Sequence, residues 1–540
     1  MNARSDPPVG TGDDVERMLD ALRNPRCYPH PVERIAVLET HISWVLLTGS
    51  YAYKIKKPVN LGFLDFTTLA ARRYYCGEEL RLNRRLAPDI YLATVAITGD
   101  PDEPHIGGSG PVLDYAVKMR EFAQSALLDS ALARGEVGAS TVEALAHKIA
   151  AFHAALAPAS AIADDAAAAA LVPALDNFRQ MLPLLDAPAD IAALTALRDW
   201  TQREYGARAD QFAQRHAAGC VRECHGDLHL GNIALLDGKA TPFDCIEFNP
   251  VLRWMDVASE VAFPTMDLEA HGRRDLAYVF LNAYLEHSGD YGGGAVLPFY
   301  FVYRAIVRAK ISLLRTTQHG AENEPGRRAR AAFQRYLALA VAYTNSRRGA
   351  VIIMHGPSGS GKTTLTQPVA AALGAVRIRS DIERKRLHGV DALARSGSAT
   401  GGGIYATGAT AHTYEQLQRH ARSVAGAGLP VIIDATFLKR EQRAAFRALA
   451  RELAVPFAIV NVAAPHEALR ARVAARAAYG GDASEATLAV LENQIATCEP
   501  LSAEELDYAV TADARRDAAA RARALCDGLA QRLRQQPVHA

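Results

Sequence analysis

Two short stretches hold residues whose types and spacing suit phosphoryl-transfer chemistry. The first is Gly356-Pro357-Ser358-Gly359-Ser360-Gly361-Lys362-Thr363, followed by Thr364. It satisfies G-x-x-x-x-G-K-[ST] directly after the apolar run AVIIMHG and directly before a helical one. Glycines let backbone N–H groups curl around phosphate oxygens, and the helix N-terminus adds a favourable dipole. Lys362 would reach the terminal phosphates, and the Thr363 hydroxyl can ligate magnesium. The second stretch is Cys224-His225-Gly226-Asp227-Leu228-His229-Leu230-Gly231-Asn232, which contains the catalytic-loop spacing H-x-D-x-x-x-x-N, with Asp244 twelve residues further on. There Asp227 would orient and deprotonate a hydroxyl, while Asn232 and Asp244 supply the hard oxygens that magnesium prefers. Cys220, Cys224, His225 and His229 fit neither the usual zinc spacing nor haem attachment, and His225 reads better as a brace for the loop.

The elements around the glycine-rich stretch alternate strand and helix: VIIM, a helix from Lys362, VRIRS, a helix, PVIIDAT, a helix, FAIVNVAA and terminal helices. That alternation predicts a doubly wound parallel sheet over residues 347–540. Ligands of such sheets bind beyond the carboxyl ends of the strands, where Asp381 and Asp434 fall. Asp381 is read as an acceptor base or as a helix N-cap, with Arg384 one turn along to hold an acidic group. Asp434 is read as a magnesium residue or as a strand-end turn residue. Arg472 and Arg476, four residues apart before Gly480-Gly481, are either cations on a closing lid or an ordinary solvated helix face.

The first two thirds read differently. Residues 1–30 are polar and rich in Pro and Gly, and suggest a poorly ordered lead-in. Alternating apolar residues from Arg34 to Val59 predict a hairpin region turning at Thr48-Gly49-Ser50. A helix over Phe66–Leu86 and strands at Ile90–Ile97 and Tyr115–Phe122 complete a small lobe over 31–122, and a large helical lobe follows over 123–346. The fold class expected is thus multidomain, α+β followed by α/β.

A chain of 540 residues exceeds what one core organises. Its formal charge of +1 gives no global field to draw in nucleic acid or an acidic membrane, although the part after Gly349 is mildly basic. Seven scattered cysteines suit a reducing cytoplasm, and no run of about 18 apolar residues predicts a membrane span. Nothing in the pattern specifies an oligomeric state.

GPSGSGKTTL, IRSDIERKRL, VIIDATFLKREQR and the later ASEA resemble P-loop kinases related to zeta toxin and polynucleotide 5′-kinase, over roughly residues 349–510. The resemblance implies that Asp381 of D-x-x-R is the acceptor base and that Arg384, Arg472 and Arg476 contact the acceptor or phosphates. HGDLHLGN followed by PFDCIEFNPVLRWMDVASE resembles the aminoglycoside phosphotransferase and choline kinase superfamily. It implies a bilobal protein-kinase-like fold in which a strand lysine, held by a helix glutamate, binds the ATP phosphates. Lys54 in Ala52-Tyr53-Lys54 fits that lysine, with Lys56 on the same face as rival; Glu79, or its neighbour Glu78, fits the partner. No G-x-G-x-x-G precedes Lys54. Both halves in this order resemble bacterial fusions of the two families. They imply a bifunctional ATP- and magnesium-dependent kinase acting on hydroxyl groups of small molecules. A polynucleotide 5′-hydroxyl kinase in the P-loop half, or a silent ATP-sensing first half, are the alternatives.

Overall fold

The computed structural model describes residues 12–62, 64–159, 168–320, 322–345, 349–398, 402–479, 483–512 and 517–536. It divides into two compact units. One comprises the chain through Val137 together with Ala155–Ala159 and Arg222–Met255; the other takes Gly138–Ala154, Ser160–Val221 and everything from Asp256 onward.

The first unit is built on a six-stranded sheet. Its strands are β1 (Ala36–Glu39), β2 (Ser43–Leu47), β3 (Tyr51–Lys56), β4 (Tyr91–Asp100), β5 (Glu103–Ile106) and β6 (Val112–Arg120), in the order β1-β2-β3-β6-β4-β5. All its ladders are antiparallel, with Lys54 opposite Val45 on one side and Val117 on the other. Residues 12–30 are not a loose lead-in throughout. Helix α1 (Gly12–Ala21) and the turn after it put Met18, Leu22, Cys27 and Tyr28 into one core with Leu46, Tyr53, Ile55 and Ile97. Burial of those apolar side chains is what orders the segment.

Helix α2 (Leu69–Asn83) starts at Thr68, whose hydroxyl accepts from Ala71 N–H. Arg72, Cys76, Glu79 and Asn83 recur at helical spacing on its buried face. A polar buried face needs partners on the sheet, and Arg72 Nε supplies one by donating to both oxygens of Asp114 at 2.9 Å. That docking sets where Glu79, two turns along, can reach. The catalytic-loop segment contributes a short hairpin, β7 (Ile233–Leu236) and β8 (Lys239–Pro242).

The second unit contains the helical region and the P-loop sheet. Packed helices at Pro188–Ala207, Val257–Ala270, α3 (Arg274–Ser288), Leu297–His319 and Glu324–Asn345 precede β9 (Ala350–His355). The sheet runs β10-β11-β9-β12-β13, with β10 Val376–Arg379, β11 Pro430–Asp434, β12 Phe457–Val462 and β13 Ala509–Ala512, and every pair is parallel. The central β9 is buried along its whole length, as a strand covered on both faces must be. Helices α4 (Lys362–Leu373), α5 (Ser380–Leu387), α6 (Thr407–Ala425), α7 (His466–Tyr479), α8 (Leu488–Thr497) and α9 (Ala518–Gln535) belong to it, as do the helices Arg440–Glu452 and Ala503–Leu506. The multidomain α+β and α/β class expected from the sequence is therefore what the chain adopts. A division at residue 346 is not: the helical region is continuous with the P-loop sheet in one compact unit, because α3 packs on α4 and on the edge strand β10.

Leu365 and Val369 of α4 meet Leu525 and Leu529 of α9 over Ile352, Ile432 and Val460. Leu529→Ala should lower the stability of this unit by about 3 kcal/mol, the usual cost of a fully buried leucine, and urea denaturation followed by tryptophan-independent far-UV dichroism would measure it. An unchanged midpoint would mean that α9 is dispensable to the core.

Candidate functional sites

In the first unit, β3 points Lys54 and Lys56 to one side, and both reach Glu79. Lys54 Nζ lies 2.8 Å from Glu79 Oε1 and 2.6 Å from Asp244 Oδ1. Lys56 Nζ lies 2.8 Å from Glu79 Oε2 and also pairs with Glu247. The lysines differ in depth: the Lys56 side chain is fully buried, whereas Lys54 faces Asp244, whose side chain is 42% exposed. Lys54 therefore borders solvent where a phosphate can arrive, and Lys56 is the internal charge that neutralises two carboxylates. Glu79, not Glu78, is the helix partner, since Glu78 turns to Arg81 and Arg253. Burial alone would raise the Glu79 carboxyl, but Lys54 and Lys56 overcome it and hold it down at about 2. Glu247 moves the other way, because burial and the nearby Glu79 charge outweigh Lys56.

The loop that carries Asp227 is internally braced. His225 Nε2 donates to Phe243 O at 2.9 Å, which leaves Nδ1 to accept from Asp227 N–H at 3.4 Å. Asn232 Nδ2 donates to the Asp227 carbonyl and carboxylate, both at 3.0 Å. Asp244 sits in the left-handed region with φ of +63°, its N–H donating to Tyr91 Oη at 3.1 Å, and Cys245 N–H donates to Asn83 Oδ1 at 2.8 Å. An all-oxygen donor set of this kind fits magnesium rather than zinc. The β2–β3 turn at Thr48-Gly49-Ser50 is short, and Gly49 N–H donates to Glu121 Oε2 at 2.7 Å. The backbone donor that would cover a phosphate there is occupied by a carboxylate.

In the second unit, the P-loop leaves β9 and enters α4. Gly356 has φ of +142°, and a Cβ there would lie 2.5 Å from Val462 O; at Gly359 it would lie 2.9 Å from Leu469 O. The glycines are thus demanded by the approach of the neighbouring backbone. Lys362 Nζ donates to Gly356 O at 2.8 Å and Pro357 O at 2.9 Å. Gln494 Oε1 accepts from Ser358 N–H at 2.8 Å, and Arg472 donates to Gly359 O and Ser360 O. The Arg476 side chain lies outside the described residues.

A cleft of about 970 Å³ opens over this loop. Lys362, Thr363, Thr364, Asp381, Arg384, Asp434 and Arg472 all line it. Asp434 accepts from Thr366 Oγ1 at 3.0 Å, which orients its carboxylate; with the Thr363 hydroxyl it forms an oxygen set fit for magnesium. Asp381 lies inside the first turn of α5, where Arg379 holds the N-cap position, so it is not the cap. Arg384 is buried and donates to Ile404 O at 2.9 Å and Thr410 Oγ1 at 3.1 Å, with its guanidinium over Tyr405. It ties α5 to α6 beside the cleft. Residues not singled out from the sequence also line it, among them Tyr405, Thr410, Tyr414 and Glu415. They sit on or just before α6, a helix whose sequence carries no phosphate motif. Burial, Asp381 and Glu485 push the Tyr405 phenol up. Asp256, outside both sites, caps the helix Val257–Ala270 and pairs with Arg215 at 2.7 Å.

Fold and sites together define the class: a protein-kinase-like region followed by a P-loop nucleotide-binding domain. Residues 351–501 match the family described as an AAA domain. The chain is 31% identical over 469 residues to the uncharacterized protein Rv2004c of Mycobacterium tuberculosis, covering 86% of this chain and 91% of the relative. It belongs to the family of that mycobacterial protein. Among solved structures, a gluconokinase from Sinorhizobium meliloti 1021 is similar with 21% identity and a TM-score of 0.26, over 35% of this chain and 95% of that one. A choline/ethanolamine kinase family protein from Mesorhizobium loti is similar with 12% identity and a TM-score of 0.34, over 60% of this chain and 98% of that one.

The two lysines can be separated by experiment. Lys56→Met leaves Glu247 without its buried cation and Glu79 with Lys54 alone, and should destabilise the first unit by about 3–5 kcal/mol. Lys54→Met should cost the first unit less stability than Lys56→Met, since Asp244 is exposed and Glu79 keeps Lys56, while weakening binding of a fluorescent ATP analogue to a Lys362→Ala background. The opposite assignment predicts the reverse pattern.

Proposed function

We propose that the chain is an ATP- and magnesium-dependent phosphotransferase that acts on hydroxyl groups of small molecules, with the P-loop cleft as its principal active site. The observation that carries this proposal is the convergence of Lys362, Thr363, Asp381 and Asp434 on one cleft large enough for a nucleotide and a small acceptor. Asp381 accepts the proton of the acceptor hydroxyl as that oxygen bonds to the γ-phosphorus. The bond from the γ-phosphorus to the β,γ-bridging oxygen breaks, and ADP departs with that oxygen. Lys362 and Arg472 offset the charge on the transferred group. Bound magnesium, held through Thr363 and Asp434, would neutralise the phosphate oxygens. In the first unit, Lys54 with Glu79 would grip ATP, Asp227 would be the acceptor base, and Asn232 and Asp244 would hold the metal. No described helix is long and apolar enough to cross a membrane, and no disulfide joins the cysteines, which suits the cytoplasmic setting proposed for such an enzyme.

A second reading concerns the first unit alone. The Gly49 N–H bond to Glu121 favours a kinase-like region that binds nucleotide and senses it rather than turning it over.

Magnesium-dependent transfer from γ-labelled ATP to sugars, aminoglycosides, nucleosides and a 5′-hydroxyl oligonucleotide separates these readings. Lys362→Ala or Asp381→Asn should lower transfer by at least about a thousandfold, while Asp227→Asn should leave it if the first unit is a sensor. Transfer lost only in Asp227→Asn would move the activity to the first unit, and labelling of the oligonucleotide alone would make the acceptor a nucleic-acid end.

A further inference from the structure

We propose that Asn282 and Glu286 of the helical region are positioning residues for the P-loop reaction, because they fix the strand and helix that carry Asp381; this inference rests on the function proposed for the P-loop cleft. Strand β10 is the edge of the parallel sheet and, among the described residues, pairs with β11 alone. An edge strand exposes unpaired N–H and C=O groups, which must find partners when buried. Here α3 supplies them. Asn282, 7% exposed, accepts from Arg377 N–H at 2.7 Å and donates to Ala375 O at 3.0 Å, so that its amide stands in for a missing strand residue. Tyr291 Oη, just beyond α3, donates to Arg377 O at 3.4 Å.

Glu286, one helical turn along α3 from Asn282, binds the end of the same strand. Its two oxygens take Arg377 at 2.9 Å and Arg379 at 3.0 Å. Arg379 is the N-cap position of α5 and lies two residues before Asp381. Arg386, in the last turn of α5, donates to the Glu286 carbonyl. One residue of α3 therefore holds the chain on both sides of Asp381.

Asp381 depends on that hold. Its carboxylate makes no hydrogen bond or ion pair with another described residue, so its place in the cleft is set by its backbone. A catalytic group held only through its backbone is as precise as the element beneath it, and displacement of about 1 Å can cost about a hundredfold in rate. The nucleotide loop itself is held by Gln494, Arg472 and the contacts of Lys362, none of which runs through Asn282 or Glu286. Loosening α3 from β10 should thus lower turnover and spare ATP binding.

The test uses the full chain with Asn282→Ala and Glu286→Gln, each compared with wild type and Asp381→Asn. Three quantities are read: turnover in the Lys362-dependent transfer to the sugar panel, affinity for a fluorescent ATP analogue, and amide deuterium exchange over residues 376–387. The expected result is a fall in kcat of about ten- to a hundredfold, an ATP affinity and KM within about twofold of wild type, and faster exchange in that segment. Unchanged exchange, unchanged kcat, or parallel loss of ATP affinity would each overturn the positioning role. If Asp381→Asn itself retains full Lys362-dependent transfer, the base assignment fails; if Asp381→Asn is silent while Glu286→Gln is fully active, only this inference fails.

Discussion

A buried edge of a parallel sheet cannot be left with bare amides, and the way this chain satisfies β10 governs much of its organisation. Asn282 and Tyr291 complete the hydrogen bonding of Ala375 and Arg377, and Glu286 compensates two arginines that the strand carries toward the cleft. Each such bond is worth only about 1 kcal/mol net, but leaving its partner buried and unpaired costs more. The helical region and the P-loop sheet consequently form one compact unit. Helix α4, which opens the nucleotide loop, is held by the same region: Arg274 donates to Leu373 O, and Glu143 accepts from Gln367 at 2.6 Å.

The first unit shows the same logic in charge rather than in backbone bonding. Two lysines on one strand face three carboxylates on two other segments, and the buried Lys56 offsets charge in a medium that penalises lone ions. With Lys56 neutralising Glu79 and Glu247, Lys54 remains at the rim beside Asp244. The distinction between an internal counter-ion and a phosphate-facing cation depends on depth, which two residues of equal type on one strand face do not disclose.

Local motifs were therefore the legible part of both sites. Gly356–Thr363 announced itself because the loop's geometry needs glycine at fixed intervals, and Asp227, Asn232 and Asp244 because those residue types fall at a fixed spacing in one short loop and its successor. Strand–helix alternation after Ala350 likewise predicted the parallel sheet. The order of residues 12–30 was less visible, since Val15, Met18, Leu19 and Leu22 are a short apolar set among polar neighbours, and Met18 and Leu22 acquire meaning only against Leu46 and Tyr53. Least visible was the union of the helical region with the P-loop sheet. Asn282, Glu286 and Tyr291 look like ordinary polar residues near a helix end, and their partners lie about 90 residues away.

The contrast between the phosphate covers of the two units has a physical consequence. In the P-loop, glycines at positive φ shape the backbone beside a buried lysine, and the group bonded to Ser358 N–H is the neutral Gln494 amide, which an anion displaces without meeting a like charge. At the β2–β3 turn, Gly49 N–H is already bonded to Glu121, and an incoming phosphate would have to displace a carboxylate that shares its charge. Under the proposed function, ATP binding there would draw on Lys54 and on a cation held by Asn232 and Asp244, and its affinity should depend more steeply on magnesium than binding at the P-loop. Under the proposed function, unequal dependence on one cation would let the two proposed nucleotide sites fill at different ATP and magnesium levels.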